Sequence, residues 1–408
     1  KLQLDMLAEL SDYRLNFSVQ QGQLDTMTQQ WQLQQEPQIS YLFAKQKLTI
    51  SEHCWAYQTS SLCADIKFVQ GLHRLVFQLS ALPMEYALPD VEQLNAMGIL
   101  AGEGSIEFNF SKVMSLYSQF QLTDSEIHLA ANAKRSVAEF EQVILNLAFI
   151  DDKVKTTLIA KSIDFGDINL DLQVSDISND KTLQGKLAVD ALQLDFLMPI
   201  FESVSQLSGT VSGESKIIGD IGKPLFDGQF QISNAAVHSN QYAVGLDSFN
   251  SQLIIKAQNI ELIGKFKSGR GEGTLNGQIT WHEEFSYQLE LQGNDFDFND
   301  SKGVTFKYQP DLKFIGNWSE LAISGEIQIP YARIAVKTLP SSAVRVSRDA
   351  YVIDAKEVPL ESYNVSMQIV VKLIDDVKID SFGLQTDVAG EVQVTQSRDI
   401  ELQAIGSL

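Results

Sequence analysis

The sequence predicts an all-β protein, built as a long coiled antiparallel or mixed sheet with one or two short amphipathic helices. Three observations carry this. Polar and apolar residues alternate with period two wherever a stretch is sampled, as in Ile106-Glu-Phe108-Asn-Phe110, Gln229-Phe230-Gln-Ile232, Gln288-Leu289-Glu-Leu291, Asp295-Phe296-Asp-Phe298 and Glu326-Ile327-Gln-Ile329. Turn signals such as Ser-Asn-Asp180, Gly-Lys-Pro224 and Gly-Arg-Gly271 recur at the spacing of consecutive short strands. The composition, 44% hydrophobic and 20% charged with nine prolines, is that of a folded chain without a linker.

One-sided alternation implies antiparallel sheet with one wet face. At about 12 to 14 residues per strand and turn the chain holds about 30 strands, and at ~4.8 Å between neighbours a single sheet would run roughly 140 Å. Strand twist would coil such a sheet, and its apolar face must find cover. Stacked layers and a lengthwise trough both provide it. Two segments interrupt the alternation with helical spacing, Pro89 to Met97 and Asp195 to Leu207. Each packs into a core or caps an apolar sheet face.

Repetition is weak but ordered. Residues 218–237 align without gaps on 315–334, pairing Gly219 with Gly316, Gly228 with Gly325, Gln231 with Gln328 and Ala235 with Ala332. Ala101-Gly-Glu-Gly-Ser105 is echoed by Ser212-Gly-Glu-Ser215. A hairpin cannot bury its apolar face alone, so added hairpins share one face.

The formal net charge is −21, with the acidic residues dispersed among the strands. Such a field repels phosphate backbones, so no nucleic acid is expected as a partner, and it disfavours adsorption to an anionic membrane surface. No apolar run reaches the roughly 18 to 20 residues of a membrane-spanning helix. The chain opens on Lys1 and Leu2 without a leader, and the expectation is a fragment whose anchor lay upstream. Cys54 and Cys63 flank a Gln-Thr-Ser-Ser turn, which brings their β-carbons within disulfide range in a hairpin; reduced buried thiols are the alternative.

No catalytic centre emerges, so an enzyme is not expected, and no cofactor or metal either. The five histidines are dispersed without metal-ligand spacing, and no metalloprotease, Walker or nucleophile-elbow pattern is present. Gly269-Arg-Gly-Glu-Gly273 is superficially like a phosphate loop but leads into a strand, not a helix. Asp151-Asp152 and Asp375-Asp376 lack calcium-loop spacing, and both are expected in turns.

The run Gly325-Glu-Ile-Gln-Ile-Pro330-Tyr-Ala-Arg-Ile-Ala-Val-Lys-Thr-Leu-Pro340-Ser-Ser-Ala-Val-Arg-Val-Ser-Arg-Asp349 closely resembles the TamB family, with a strand ending Ile-Pro, then Ala-Arg-Ile, Leu-Pro-x-Ser-Ala-Val and Ser-x-Asp. Leu373 to Gly390 and Leu207 to Gly277 are similar to further blocks of that family. The resemblance is specific from about 190 onward, dividing the chain into a β-rich repeat region, 1–190, and a C-terminal TamB-type β region, 191–408, incomplete at its end.

The resemblance implies a sheet folded into an elongated trough, taco-like, in the periplasm of a Gram-negative bacterium. It implies an inner-membrane anchor beyond the N-terminus and an outer-membrane barrel partner, TamA, beyond the C-terminus. Relatives in the AsmA-like group imply phospholipid acyl chains carried along an apolar groove, here lined by Phe108, Phe230, Ile232, Leu253, Ile255, Leu289, Leu291, Phe296, Phe298, Ile327 and Ile329. The alternative function is a chaperone or scaffold that offers sheet edges to barrel strands by β-augmentation. A third, structural alternative is a barrel or closed β-helix with a dry core; the aromatic girdles of a porin are not seen.

Overall fold

The computed structural model describes residues 2–11, 13–26, 29–69, 71–86, 93–109, 111–239, 245–281, 284–300, 304–335, 364–381, 384–397 and 400–408. These form twenty-seven strands. The first seven are β1 (Leu2–Ser11), β2 (Arg14–Asp25), β3 (Gln30–Gln35), β4 (Gln38–Leu42), β5 (Lys47–Tyr57), β6 (Ser60–Val69) and β7 (Leu72–Pro83). Next come β8 (Leu94–Phe108), β9 (Val113–Ala131), β10 (Lys134–Phe140), β11 (Gln142–Ile150), β12 (Lys153–Lys161), β13 (Asp167–Ser175) and β14 (Thr182–Gln193). Then follow β15 (Val204–Asp220), β16 (Lys223–Ser239), β17 (Leu246–Ala257), β18 (Asn259–Ser268), β19 (Gly271–Thr280), β20 (Ser286–Asn294) and β21 (Phe296–Asp300). The last are β22 (Val304–Asn317), β23 (Glu320–Ile334), β24 (Asn364–Ser381), β25 (Leu384–Asp387), β26 (Gly390–Ser397) and β27 (Ile400–Ser407).

Backbone contacts divide the chain into two units, one of residues 1–202 and 211–227, the other of 203–210 and 228–408. In the first unit the pairing runs antiparallel through β1, β2, β4, β5, β6, β7, β8, β9, β11, β12, β13 and β14. Strand β9 is long enough to serve two partners. Its first half pairs with β11 and its second half with β10, and Asp124 between them takes a left-handed conformation. In the second unit β17, β18, β19, β20, β22 and β23 pair antiparallel in sequence. Strand β24 then adds to β23 in parallel, which makes the sheet mixed. A parallel neighbour needs a long crossover, and the segment between these two strands, 336–363, lies outside the described residues together with Leu339 to Asp349 of the family-like run.

Both helix expectations change. Leu94 to Met97 is strand, with Leu94 opposite Leu129 and Ala96 opposite Ile127; residues 87–92 lie outside the described part. Apolar spacing near 3.6 over so few residues is matched by a strand whose two faces are both apolar. The second segment is a 3-10 helix, Leu194–Ile200, and Val204 to Leu207 already belong to β15. Pro199 inside it removes a backbone donor, which favours this short form over a full α-helix. Asp151-Asp152 does form a turn, with both residues left-handed. Asp375-Asp376 instead sits inside β24 at a register shift opposite Tyr331, because an acidic pair can mark a bulge as readily as a turn.

Little of the apolar surface is fully buried. Among the described residues fifteen apolar side chains are buried, five of them alanines, too few for two packed sheets. Aromatic rings instead lie over glycines of the neighbouring strand. A β-carbon on Gly102 would meet the Phe120 ring at 2.4 Å, and one on Gly293 would meet Phe296 at 2.2 Å. Phe296, against which Phe266 also stacks, is 3% exposed. Gly102→Leu is therefore expected to destabilise the first unit by about 1–3 kcal/mol. Phe120→Ala should recover part of that loss in a double-mutant cycle read by urea unfolding.

Candidate functional site: a partly accessible apolar face

Directly opposed residues of neighbouring strands share a sheet face, so the register shows which side chains form a common surface. In the first unit one cross-strand row reads Phe17, Ile39, Ile50, Ile66, Leu75, Ile106, Leu116, Phe149, Val154, Val174 and Leu183. Eleven strands each contribute one apolar side chain without interruption. A second row reads Trp55, Leu62, Leu79, Gly102, Phe120, Leu145, Leu158, Leu170 and Leu187. Every member of the first row except Leu183 is only half-buried. In a sandwich such central positions would be sealed; here they stay partly accessible.

The second unit repeats the pattern. Leu253, Leu262, Gly277, Leu289, Phe314, Ile323 and Met367 form one row. Ile255, Ile260, Ile279, Tyr287, Gly316, Leu321 and Val365 form the next. Leu275, Leu291, Leu312, Gly325, Ile369 and Val394 form a third. Ile327 and Ile329 continue this face opposite Val371 and Leu373. Phe296 and Phe298 join it through Tyr308 and Phe306, and Phe296 stacks on Phe266 at 5.5 Å between centroids.

Eight of the eleven expected groove residues thus share one face of the second unit. Phe230 and Ile232 alternate on β16 with exposed Gln229 and Gln231, and an amide of this strand, Asn234 N–H, donates to Asn250 Oδ1 on β17 at 2.9 Å. Phe108 lies on the apolar face of the first unit, its ring 5.4 Å from His73 and 6.5 Å from Phe68. Most of the first unit's rows escaped sequence reasoning, although Leu170-Asp-Leu172-Gln-Val174 carries the same alternation.

The opposite face is polar and carries ion pairs. Arg270 binds Asp297 through Nε at 2.9 Å, and Lys372 reaches Glu326 at 2.5 Å. Arg333 donates to both the carboxylate and the carbonyl of Asp376. The hydrogen bond from Arg270 holds the Asp297 carboxyl below the ordinary carboxylate range, and Arg333 with Lys378 does the same to Asp376. In the first unit Cys54 and Cys63 lie on the polar side of the sheet, directly opposed in β5 and β6 and bonded to each other, with Cα atoms 4.0 Å apart. Among the described residues the one grouping close enough to hold a metal is Glu52 with these two cysteines, and a disulfide leaves no thiolate to ligate.

One patch of the apolar face does have a cover. The 3-10 helix sets Phe196 against Phe165 at 5.1 Å, and Phe165 against Phe140 at 5.7 Å, over a buried cluster of Ala138, Phe140 and Ala160. Side chains of β10 and the turn before it cap its carbonyls. Asn132 Nδ2 donates to Pro199 O and Ile200 O, Lys134 Nζ to Phe201 O and Glu202 O, and Ser136 Oγ to Asp195 O. This cap closes the face locally.

The chain matches the family models "TamB, N-terminal domain" over residues 2–232 and "TamB C-terminal domain" over residues 259–408. It belongs to the TamB family. The N-terminal match extends the resemblance to the first 190 residues, whose motifs are less distinctive because apolar alternation is common to all sheets. The translocation and assembly module subunit TamB of Haemophilus influenzae is 24% identical over 384 residues, covering 88% of this chain and 29% of the relative, so the chain spans less than a third of that protein. No solved structure matches. Among the described residues no helix is long and apolar enough to cross a membrane.

Asn132→Ala with Lys134→Ala removes four hydrogen bonds from the cap and should raise hydrogen exchange at residues 194–201 by at least about fivefold, leaving the protection of β11 and β12 unchanged. The paired carboxylates predict acid sensitivity of known sign. A lowered folded pKa contributes stability above the unfolded value near 4 and loses it as pH falls through the folded value. Asp297→Asn with Asp376→Asn should therefore flatten the pH dependence of the urea midpoint below about pH 4, by a small amount because these groups are exposed.

Proposed function

We propose that this chain carries phospholipid acyl chains along its apolar sheet faces, as part of a periplasmic bridge between the inner and outer membranes that supports outer-membrane biogenesis. The observation that supports it most is the row of directly opposed, mostly half-buried apolar side chains, one per strand across eleven strands. Hydrocarbon gains about 0.8 kcal/mol per methylene removed from water, so an acyl chain is a fitting cover for such a face. The second row offers leucine on four successive strands, Leu145, Leu158, Leu170 and Leu187. A methylene that advances by one strand then leaves one leucine for another, and no position along the row is a deep trap. Transfer of this kind needs no chemical step and no cofactor.

In the same reading the module partner is the outer-membrane barrel TamA, engaged by the C-terminal end of the longer protein, and an N-terminal helix anchors it in the inner membrane. The printed name of the Haemophilus relative, a translocation and assembly module subunit, is consistent with that setting. Assembly of barrel strands by β-augmentation would use backbone edges instead of the apolar face, which makes the two mechanisms separable.

Lipid extraction and mass spectrometry of the purified chain should find co-purifying phospholipid. Ile106→Asp and Leu289→Asp, each in the middle of a row, should each remove most of it, with far-UV circular dichroism unchanged. Gln119→Asp on the polar face should not. A folded chain free of acyl groups would overturn the proposal, and a charge in the row that blocks assembly of barrel proteins without changing bound lipid would favour the augmentation mechanism.

A further inference from the structure

The 3-10 helix Leu194–Ile200 lies over a part of the apolar face that continues the rows of the first unit. Leu122, Val143, Ala160, Ile168 and Val189 are directly opposed on β9, β11, β12, β13 and β14. They stand two residues, or about 7 Å, along each strand from Phe120, Leu145, Leu158, Leu170 and Leu187. This outer row is shallowest at Ala160, between Val143 and Ile168, and Ala138 on β10 is equally short. The two alanines leave a notch in the lining. The rings of Phe165 and Phe196 fill it, packed against Ala138, Phe140 and Ala160.

The helix is held differently from the strands beneath it. Among the described residues no backbone hydrogen bond ties residues 194–200 to the sheet; the nearest is from the Gln193 amide to Phe165 O at 2.9 Å. Its polar anchor is the set of five side-chain bonds from Asn132, Lys134 and Ser136 to carbonyls of the helix and the two residues after it, and four of the five are exposed. Water replaces exposed bonds readily, so their net contribution is modest. Gln193 supplies no side-chain cap at the helix start, and Pro199 removes a backbone donor. Short 3-10 turns are themselves weak. From Leu194 to Phe201 only Asp195 is polar. A helix apolar on all sides is ordinarily buried on all sides, yet Leu197, Ile200 and Phe201 are 38 to 53% exposed. The seat in the notch therefore covers only part of the apolar surface of this segment.

We infer that this helix is a displaceable lid: the Phe196 ring holds the place of a phospholipid acyl chain in the notch, and the lid swings out when a chain enters. This rests on the acyl-chain reading above and adds regulation to it. The notch fits hydrocarbon, since Ile127, Val143 and Ile168 pack around the buried cluster of Ala138, Phe140 and Ala160. A chain moving along the leucines of β11 to β14 passes one row away from it. Lid and chain compete for the same surface, so the outer row is closed when lipid is scarce and opens when lipid is plentiful. A ligand that binds only the open state shifts the population toward it. Weakening the closed state then tightens binding by the factor by which opening rises.

The test is hydrogen exchange of the 408-residue chain with and without palmitoyl-oleoyl phosphatidylglycerol supplied in vesicles, with bound lipid measured in parallel. Lipid should raise exchange at residues 194–201 about fivefold and leave β11 and β12 at least as protected as before. Asn132→Gly with Lys134→Ala removes four of the five anchoring bonds, and glycine accepts the left-handed conformation of Asn132. This pair should raise exchange at 194–201 without lipid, and the lipid concentration that gives half the effect should fall by the same factor. Phe196→Ala empties the notch and should lower that concentration too; should it fail to fold, the Asn132 and Lys134 pair decides alone. Lipid that binds but leaves exchange at 194–201 unchanged overturns the lid and leaves the acyl-chain reading standing. Lipid that slows exchange there does the same, because the helix would then clamp a bound chain instead of yielding to it. A half-effect concentration that stays fixed while the pair speeds exchange also overturns the lid. Absence of bound lipid from the chain and from both variants overturns the acyl-chain reading, and the lid with it.

Discussion

Both apolar faces depend on the parity of the β-ladder. A slip of one residue between two strands turns every side chain beyond it to the other side, and the row from Phe17 to Leu183 crosses ten strand junctions with parity kept. The ladder is not free of irregularities along the way. Register shifts occur between Ile50 and His53, between Leu79 and Leu82, and between Met97 and Ile99. Each is absorbed by a bulge that leaves the apolar set on its own face, as Ile50 opposite Ile66 and His53 opposite Ala64 show. The disulfide joins β5 to β6 next to the first of these shifts, where a covalent tie fixes register directly.

Stability under this constraint comes from sources other than a sealed core. Backbone ladders satisfy the polar groups of the strands, and each apolar side chain is shielded by its four neighbours on the same face. Glycines beneath aromatic rings add to this. Phe296 covers Gly271 and Gly293, and Phe266 stacks against it. The polar face contributes bidentate and cross-strand ion pairs, which are exposed and individually weak. None of these requires a sealed core, so the sheet can fold with its apolar rows partly accessible.

Alternation made the fold class and the sidedness of the strands legible from the sequence, because a period of two survives in any window of six residues. The shared face of eight of the residues expected to line a groove follows from the same alternation. The second short helix was legible in part, but the first was not: Leu94 and Met97 read as one helical stripe, yet both belong to a strand that is exposed on both sides near its start. Local spacing cannot distinguish these cases without knowing the partner strand. The parallel addition of β24 to β23 was equally hidden, since direction of pairing depends on the crossover and not on the strands.

The register that orders the apolar rows also sets where the hairpins turn. In the first unit Leu145, Leu158, Leu170 and Leu187 stand directly opposed on four successive strands, so the apolar lining repeats from strand to strand. Each strand contributes one side chain to each row while its backbone pairs independently of that side chain, so a polar substitution at one position interrupts a row without unpairing the ladder.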